Sequence, residues 1–205
     1  VLQEAKDAGI PVILSDRYIE TADQDLYTCW VGSDTEKQGR RAGEWLAAYL
    51  ENRRRDEEEI QIVTLQGTMG STAQIGRTEG FEQILEQHDN WTMLDRQTGD
   101  FTQAKGEEVM EGFLQTYEDI DVVICENDNM AFGAVEAIHK AGKTCGPDGD
   151  IIIISFDAVR AALEALMPGE INATFECNRL LGPEVENIIQ CIENGETIEK
   201  THYVD

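Results

Sequence analysis

The sequence predicts an α/β protein built on mostly parallel, doubly wound sheets. Two observations support this fold class. Short apolar runs alternate with amphipathic helical segments along the 205 residues, and such alternation is typical of βαβ units whose sheet is covered on both faces. No internal repeat or low-complexity segment interrupts the alternation.

Eight apolar runs, most of them rich in Val and Ile, are the predicted strands. They are bounded by Gly, Asp, Asn or Pro, as expected for short strands that are buried in a parallel sheet. The last of them is weaker than the others. In chain order the runs are Ile10–Ser15, Thr28–Gly32, Ile60–Gln66, Thr92–Gln97, Asp121–Glu126, Ile151–Phe156, Ile171–Glu176 and Ile198–Val204.

The segments between the runs have helical periodicity, with apolar residues three and four positions apart. The first residues, Val1–Gly9, have the pattern of the last turns of a helix that Gly9 ends. We therefore expect an upstream segment to have been removed, together with any targeting signal in it. The four periodic stripes are Ala42, Trp45, Leu46, Tyr49 and Leu50; Met110, Phe113, Leu114 and Tyr117; Ala131, Ala134, Val135 and Ile138; and Val185, Ile188, Ile189 and Ile192.

Charge counts against nucleic acid as a partner. The chain has 16 basic and 41 acidic residues, a formal net charge of −25, which repels phosphate backbones and anionic lipid headgroups. No apolar run approaches the roughly 20 residues that a membrane-spanning helix needs.

The cysteines and histidines show no pattern of a metal site. The five cysteines include no CxxC pair, which argues against a disulfide framework and a structural zinc ion. Cys29 and Cys125 lie in apolar strand-like runs, where we expect both thiols to be buried and inert. The three histidines are far apart in sequence and lack ligand spacing, so we expect no metal.

Polar residues follow the carboxyl ends of the predicted strands, where open α/β sheets bind their ligands. Carboxylates accept hydrogen bonds from hydroxyl groups, Arg and Asn donate them, and an aromatic face covers apolar C–H surface. This combination suits a neutral polyhydroxylated ligand. The polar segments are Asp16-Arg17, Ser33-Asp34, Gly67–Thr72, Gly99–Phe101, Asn127-Asp128, Asp157 and Glu176–Asn178.

Helix capping is a second explanation for part of this set. Asp34, Asp128 and Asp157 each precede or begin a helical segment, and Asp is a preferred cap. Taken singly, each of them fits capping as well as binding. Arg17 differs, because an arginine cannot cap a helix amino terminus.

Enzyme motifs are absent. Gly67–Gly70 lacks the order of a nucleotide-binding P-loop, and the chain has no GxGxxG, GxSxG or HExxH. Two rim carboxylates could form a glycosidase pair, but capping and ligand binding explain them without chemistry. We therefore expect no catalytic residue and no cofactor.

Several segments, in order along the chain, resemble periplasmic sugar-binding proteins of the ribose and galactose type, which are the substrate-binding proteins of ABC transporters. The resemblance is closest to the galactofuranose-binding branch. It is carried by Ala8–Arg17, Leu65–Thr68 with Arg77 and Gly80-Phe81, Gly99–Thr102 with Lys105-Gly106 and Glu108–Glu111, Glu126–Ala131, and Ser155–Asp157.

The resemblance implies the type I periplasmic binding protein fold, in which two α/β domains joined by hinge strands close on a sugar. It assigns residues 1–33 with 177–205 to a partial amino-terminal domain and 34–176 to the carboxyl-terminal domain. The incomplete domain lacks one to two βα units at its start.

The resemblance also implies the site and the partners. Glu176 is implied as a sugar contact, although this chain has Arg179 after Asn178, where the family often has a Pro. The partners are a monosaccharide, of which a galactofuranose-like one is favoured, and a membrane permease. A monomer outside the cytoplasm is expected, either periplasmic or lipid-anchored at the cell surface. The alternative is the effector-binding domain of a LacI-type repressor, which has the same fold. The implied sugar contacts are Asp16, Arg17, Arg77, Phe101, Asn127 and Asp157, with Phe101 as the stacking ring.

Overall fold

All eight predicted runs contribute a strand to the computed structural model, which describes residues 1–19 and 23–204. Some strands are shorter than their runs. The first, for example, starts only at Ile13, after the exposed Ile10 and after Pro11, which has no N–H for a ladder hydrogen bond. The strands are β1 (Ile13–Ser15), β2 (Cys29–Gly32), β3 (Ile60–Gln66), β4 (Trp91–Thr98), β5 (Val122–Cys125), β6 (Ile152–Asp157), β7 (Ala173–Glu176) and β8 (Thr201–Tyr203).

The helices alternate with the strands as predicted. A short 3-10 helix, Gln24–Leu26, precedes β2. Among residues 1–19 and 23–204, no helix combines the length and the apolar character needed to cross a membrane. The α-helices are α1 (Leu2–Asp7), α2 (Thr35–Arg53), α3 (Thr72–Leu85), α4 (Gln103–Thr116), α5 (Asp128–Lys140), α6 (Arg160–Leu166) and α7 (Gly182–Glu193).

The chain divides into two units, Val1–Asp34 with Asn178–Asp205, and Thr35–Cys177. The larger unit contains a five-stranded parallel sheet in the order β4-β3-β5-β6-β7. The smaller unit contains a parallel sheet in the order β1-β2-β8. The predicted α/β class with parallel sheets is therefore confirmed.

Both faces of the larger sheet are buried, because side chains alternate along each strand. Ile62 of β3 packs in one cluster with α2 and α3. Its neighbour Val63 packs on the opposite face with α4, α5 and the start of α6. Cys125 of β5 lies in this second cluster, fully buried, as the sequence predicts. The sheet is thus doubly wound.

Close contact between α2 and α3 depends on glycines at the crossing. A Cβ atom on Gly39 would lie 2.4 Å from the backbone oxygen of Arg77, and one on Gly80 would lie 2.0 Å from the backbone oxygen of Glu36. The two backbones can approach this closely only because neither glycine carries a side chain. This contact sets the position of α3, and α3 carries Arg77.

The core of the smaller unit is a cluster of four buried apolar residues. Cys29 and Val31 of β2 pack against Leu181, which precedes α7, and Ile188 within that helix. The prediction that the Cys29 thiol is buried is confirmed. Desolvation also raises the pKa of this thiol, which keeps it in its unreactive protonated form.

Candidate functional site

The order of the larger sheet changes direction between β3 and β5. From β3 the chain first adds β4 on one side, and then crosses to add β5, β6 and β7 on the other. In sheets of this order, ligands bind in the crevice beyond the carboxyl ends of the two strands at the switch. Here that position is formed by Gly67, which follows β3, and by Glu126 and Asn127, which follow β5.

Arg77 reaches this region from α3 and is 3% exposed. Its Nε donates to Oε1 of Gln38 (3.1 Å), its Nη2 donates to Oδ1 of Asp157 (2.9 Å), and its Nη1 donates to the backbone oxygen of Glu126. The guanidinium also lies over the ring of Phe156, with 4.9 Å from Cζ to the ring centroid. Three acceptors in three directions hold the guanidinium in one orientation.

Asp157, at the end of β6, combines the ion pair to Arg77 with an unusual backbone. Its φ is +103° and that of Ala158 is +52°, values that residues with a Cβ rarely adopt. Strained backbone of this kind concentrates at functional sites. The backbone turn places a carboxylate next to a buried guanidinium, and together they offer charged donors and acceptors to a polar ligand.

Asn127 caps one helix and also holds a neighbouring loop. Its Oδ1 caps α5 by accepting from the backbone N–H of Met130 (3.0 Å), and its Nδ2 donates to the backbone oxygen of Phe101 (3.1 Å). Capping is therefore real here, but the same side chain also fastens the loop that carries Phe101. An amide keeps one further N–H and one further lone pair after these two bonds.

The backbone at Phe101 is in the left-handed region. The φ angle is +55° at Asp100 and +59° at Phe101. Its half-buried ring lies on Gly67, where an added Cβ would come within 2.0 Å of the ring. A side chain at position 67 would therefore displace the ring. The loop geometry and Gly67 together fix the aromatic face at the end of β3.

Asp128 is a structural residue. Its Oδ1 accepts from the hydroxyls of Ser155 (2.6 Å) and Thr174 (2.8 Å), and its Oδ2 accepts from the backbone N–H of Val159 (2.8 Å), the residue before α6. Burial raises the pKa of this carboxyl, and the three hydrogen bonds oppose that rise. These contacts tie Asp128 to β6, β7 and the residue before α6, while the side-chain cap of α5 is Asn127.

Glu176, Asp16 and Arg17 are the more exposed of the predicted contacts. Glu176 ends β7, and its backbone oxygen accepts from Nε2 of Gln38 (3.1 Å), the residue that also holds Arg77. Asp16 and Arg17 follow β1 in the smaller unit, where Asp16 has φ +68° and accepts at its backbone oxygen from Nε1 of Trp30 (3.1 Å). The larger unit thus brings Arg77, Asp157, Asn127 and Phe101 to one edge.

Two residues of this region are absent from the sequence-based set. Gln38 is buried on the face of α2 that also carries Ala42 and Leu46, so a polar residue on an apolar stripe was the available signal. Glu126 is 1% exposed, and it follows an apolar strand directly. Its Oε2 accepts from the backbone N–H of Gly67 (2.6 Å) and its Oε1 accepts from the hydroxyl of Thr78 (2.5 Å).

Burial raises the pKa of Glu126 to about 7. Desolvation of the charged form is the largest cause, and the hydrogen bonds from Thr78 and Gly67 and the charge of Arg77 act in the opposite direction. The carboxyl group of Glu126 therefore changes its charge near neutral pH.

The chain is similar to proteins of one family over nearly its whole length. The profile of the periplasmic binding protein domain matches residues 1–175. The galactofuranose-binding protein YtfQ of Escherichia coli (strain K12) is 37% identical over 204 residues, which are 98% of this chain and 62% of YtfQ. The chain therefore spans about three-fifths of the length of this curated relative.

Two solved structures are similar in both fold and sequence. A protein of Mycobacterium smegmatis, in complex with β-D-fucofuranose, has a TM-score of 0.88 and 42% identity, over 98% of this chain and 64% of that one. The periplasmic binding protein of the arabinose ABC transporter of Shewanella sp. ANA-3, bound to α- and β-L-arabinofuranose, has a TM-score of 0.90 and 39% identity. That match covers 99% of this chain and 66% of that one.

Proposed function

This chain belongs to the periplasmic binding protein domain family, and from that premise we propose that the full-length protein is an extracytoplasmic sugar-binding receptor of an ABC importer. The larger unit corresponds in this proposal to the carboxyl-terminal domain and the smaller unit to part of the amino-terminal domain. The names of the relatives support this assignment, since they describe sugar-binding proteins and a component of an ABC transporter.

One observation carries the proposal, the buried Arg77–Asp157 pair at the carboxyl ends of the strands. Gln38 and the backbone of Glu126 hold the guanidinium rigidly, so it loses little conformational freedom when a ligand binds. A neutral sugar hydroxyl can donate to the carboxylate and accept from the guanidinium. A binding surface of this kind needs no charge on the ligand.

The proposed sugar contacts are those that the resemblance implies. In the larger unit, Arg77, Asp157 and Asn127 would bind hydroxyls, Phe101 would cover the apolar face of the ring, and Glu176 would add an acceptor. Asp16 and Arg17 of the smaller unit enter the proposal on the resemblance alone.

A furanose of galactose configuration is the favoured ligand. The curated relative is named for galactofuranose, and the two solved relatives hold fucofuranose and arabinofuranose. D-Fucose is 6-deoxygalactose, and L-arabinose has the galactose configuration at C2 to C4 without C6. The three sugars thus share the ring hydroxyls that a fixed set of donors and acceptors would recognise.

The partners in this proposal are the sugar and a membrane permease, with the receptor acting as a monomer and without turnover of the ligand. The net charge of −25 counts against nucleic acid as a partner. The relatives count against the LacI-type repressor, because those described above are import-system or sugar-binding proteins. The sequence upstream of Val1 separates the two functions, since an export signal and a helix-turn-helix are easily distinguished.

A sugar panel tests the proposal. The full-length protein is heated with D-galactose, D-fucose, L-arabinose, D-ribose, D-xylose or D-glucose. A ligand at 100 times its dissociation constant stabilises the fold by about 2.7 kcal/mol. We expect the first three sugars to raise the melting temperature and to be recovered unchanged. For galactose, the small furanose fraction in solution lowers the apparent affinity. Stabilisation by ribose or xylose but not by galactose would contradict the galactofuranose assignment, and chemical conversion of the sugar would contradict a receptor.

A further inference from the structure

The Glu126 side chain binds two consecutive elements, the end of β3 and α3, from positions 59 and 48 residues further along the chain. Its Oε2 accepts from the N–H of Gly67, at the end of β3, and its Oε1 accepts from the hydroxyl of Thr78, in the second turn of α3. Its own backbone oxygen accepts from Arg77. A single residue at the end of β5 thus fixes the loop after β3 and one turn of α3.

Two of the proposed sugar contacts depend on the atoms that Glu126 holds. Thr78 is next to Arg77 on α3, so the position of Thr78 also sets the position of the Arg77 backbone, from which the guanidinium extends. Gly67 is the surface on which the Phe101 ring lies, and the Gly67 backbone oxygen accepts from the hydroxyl of Thr98 (2.7 Å). Loosening the Glu126 carboxylate would therefore move both Arg77 and the aromatic ring.

The hydrogen bonds of Thr78 show why the carboxylate form is required. The Thr78 hydroxyl accepts from Nε2 of Gln66 (3.0 Å) and from Nε2 of Gln74 (3.3 Å). A hydroxyl has two lone pairs and one proton, so its proton goes to Glu126. Both oxygens of Glu126 are then acceptors, and a proton on either oxygen weakens the hydrogen bond that this oxygen accepts.

We propose that Glu126 is a positioning residue of the sugar site, which holds Gly67 and Thr78 so that Phe101 and Arg77 keep the positions from which they contact the ligand. This inference rests on the function proposed above. Its chemistry is a buried carboxylate that accepts two hydrogen bonds and does not touch the sugar.

The first test compares Glu126→Gln with Glu79→Gln in the full-length protein. Both remove one carboxylate, but Glu79 is exposed on α3, beside Thr78. We expect Glu126→Gln to weaken the binding of the best sugar of the panel about tenfold, the equivalent of one hydrogen bond. Glu79→Gln should bind as the wild type does. Equal affinities for all three proteins, or an equal loss in both variants, would overturn the proposal.

The second test is the pH profile of the affinity, which a purely structural residue would not change. Charged groups of two elements line the cavity beside Glu126: Arg77 and Glu82 on α3, and Arg96 on β4. Arg96 pairs with Glu82 at 2.7 Å, and Arg77 pairs with Asp157. Because the two bonds of Glu126 need the carboxylate, we expect the wild-type affinity to fall several-fold from pH 8 to pH 6 and that of Glu126→Gln to stay constant. Parallel profiles would overturn the proposal.

Hydrogen exchange tests the positioning role of Glu126 without any sugar, and therefore independently of the proposed function. Without any sugar, Glu126→Gln should accelerate exchange of the backbone amides at 67–71, while the amides of β5 and β6 keep their protection. Unchanged exchange at 67–71 would overturn the positioning role even if sugars bind. If no sugar of the panel binds the wild type, the proposed function fails, and exchange alone then decides whether Glu126 positions this loop.

Discussion

The hydrogen bonds made at position 77 can be formed only by an arginine. The three hydrogen bonds of Arg77 leave from three different nitrogens toward Gln38, Glu126 and Asp157. A lysine keeps the charge but has one nitrogen at the end of a flexible stem, so it cannot reach three acceptors in a fixed plane. The geometry of the group, more than its charge, is what the site uses.

The Arg77→Lys variant should therefore bind sugar about 10 to 100 times more weakly than the wild type, because at least one buried acceptor loses its donor. Calorimetric titration of the full-length protein measures this. Arg41→Lys is the matched control, since Arg41 is exposed on α2, and its affinity should be that of the wild type. An Arg77→Lys protein with unchanged affinity would remove Arg77 from the site.

Glu126 links protonation to stability. The pKa of this carboxyl is raised from 4.5 to about 7 in the folded protein, so between these values the folded state holds a proton that the unfolded chain has lost. The stabilisation is fully present below about pH 4.5 and is lost as the pH rises through about 7. The folded protein should lose at most about 3 kcal/mol from this source.

Denaturant unfolding of wild type and Glu126→Gln between pH 4.5 and 8 measures that loss. The free energy of unfolding of the wild type should decline relative to the variant as the pH rises, because glutamine does not titrate. The other carboxylates are common to both proteins, so the difference isolates Glu126. A difference that is constant with pH would show that the Glu126 pKa is not raised.

The helix pair α2 and α3 is the element that positions the site. Its two backbones meet at Gly39 and Gly80 without room for a methyl group. A methyl group there would push α3 away from α2 and carry Arg77 with it. Overpacking of this kind typically costs 1–3 kcal/mol.

Gly80→Ala should accordingly lower the free energy of unfolding by about 1–3 kcal/mol, although alanine is the better helix former. Gly112→Ala is the matched control, because a Cβ at Gly112 in α4 meets nothing within 4 Å. That variant should be more stable than the wild type by about 0.5–1 kcal/mol. Chemical denaturation of both variants gives the comparison, and a stabilised Gly80→Ala protein would contradict the close helix contact.

Helical periodicity predicts α2, α4, α5 and α7 because each carries an apolar stripe, but it does not reveal α3. The buried face of α3 carries Gln74 and Arg77 among glycines, since this helix serves the site as well as the core. The strands are easier to predict, because burial on both faces leaves a continuous apolar run. Polar residues on the buried face of a helix thus interrupt the apolar pattern from which the helix would be predicted.

Partners that are distant in sequence explain why the contacts of Gln38 and Glu126 could not be predicted. Glu126 binds Gly67 across 59 positions, and Arg77 binds Gln38 across 39. Neither spacing leaves a local pattern, so only the folded chain reveals the contacts. The positions of Asp16, Arg77 and Asp157 as sugar contacts came from resemblance, and they stay predictions.

For the whole molecule, the surplus of acid is the dominant electrostatic feature. Forty-one acidic and 16 basic residues leave a net charge of −25. Within residues 1–19 and 23–204, most ion pairs are surface pairs such as Arg53–Asp148 and Arg160–Glu164, and pairs of that kind contribute little. Self-repulsion among the remaining carboxylates therefore opposes the compact state.

Salt should consequently stabilise this protein. Raising NaCl from 10 mM to 1 M shortens the Debye length from about 30 Å to about 3 Å, which screens repulsion over the whole surface while the buried Arg77–Asp157 pair is screened far less. We expect the melting temperature at pH 7 to rise by several degrees, most steeply below about 0.15 M. Sucrose, which stabilises by exclusion without screening charge, should show no such early rise. A melting temperature that falls with added NaCl would mean that attractive surface pairs outweigh the repulsion, contrary to the balance of 41 against 16.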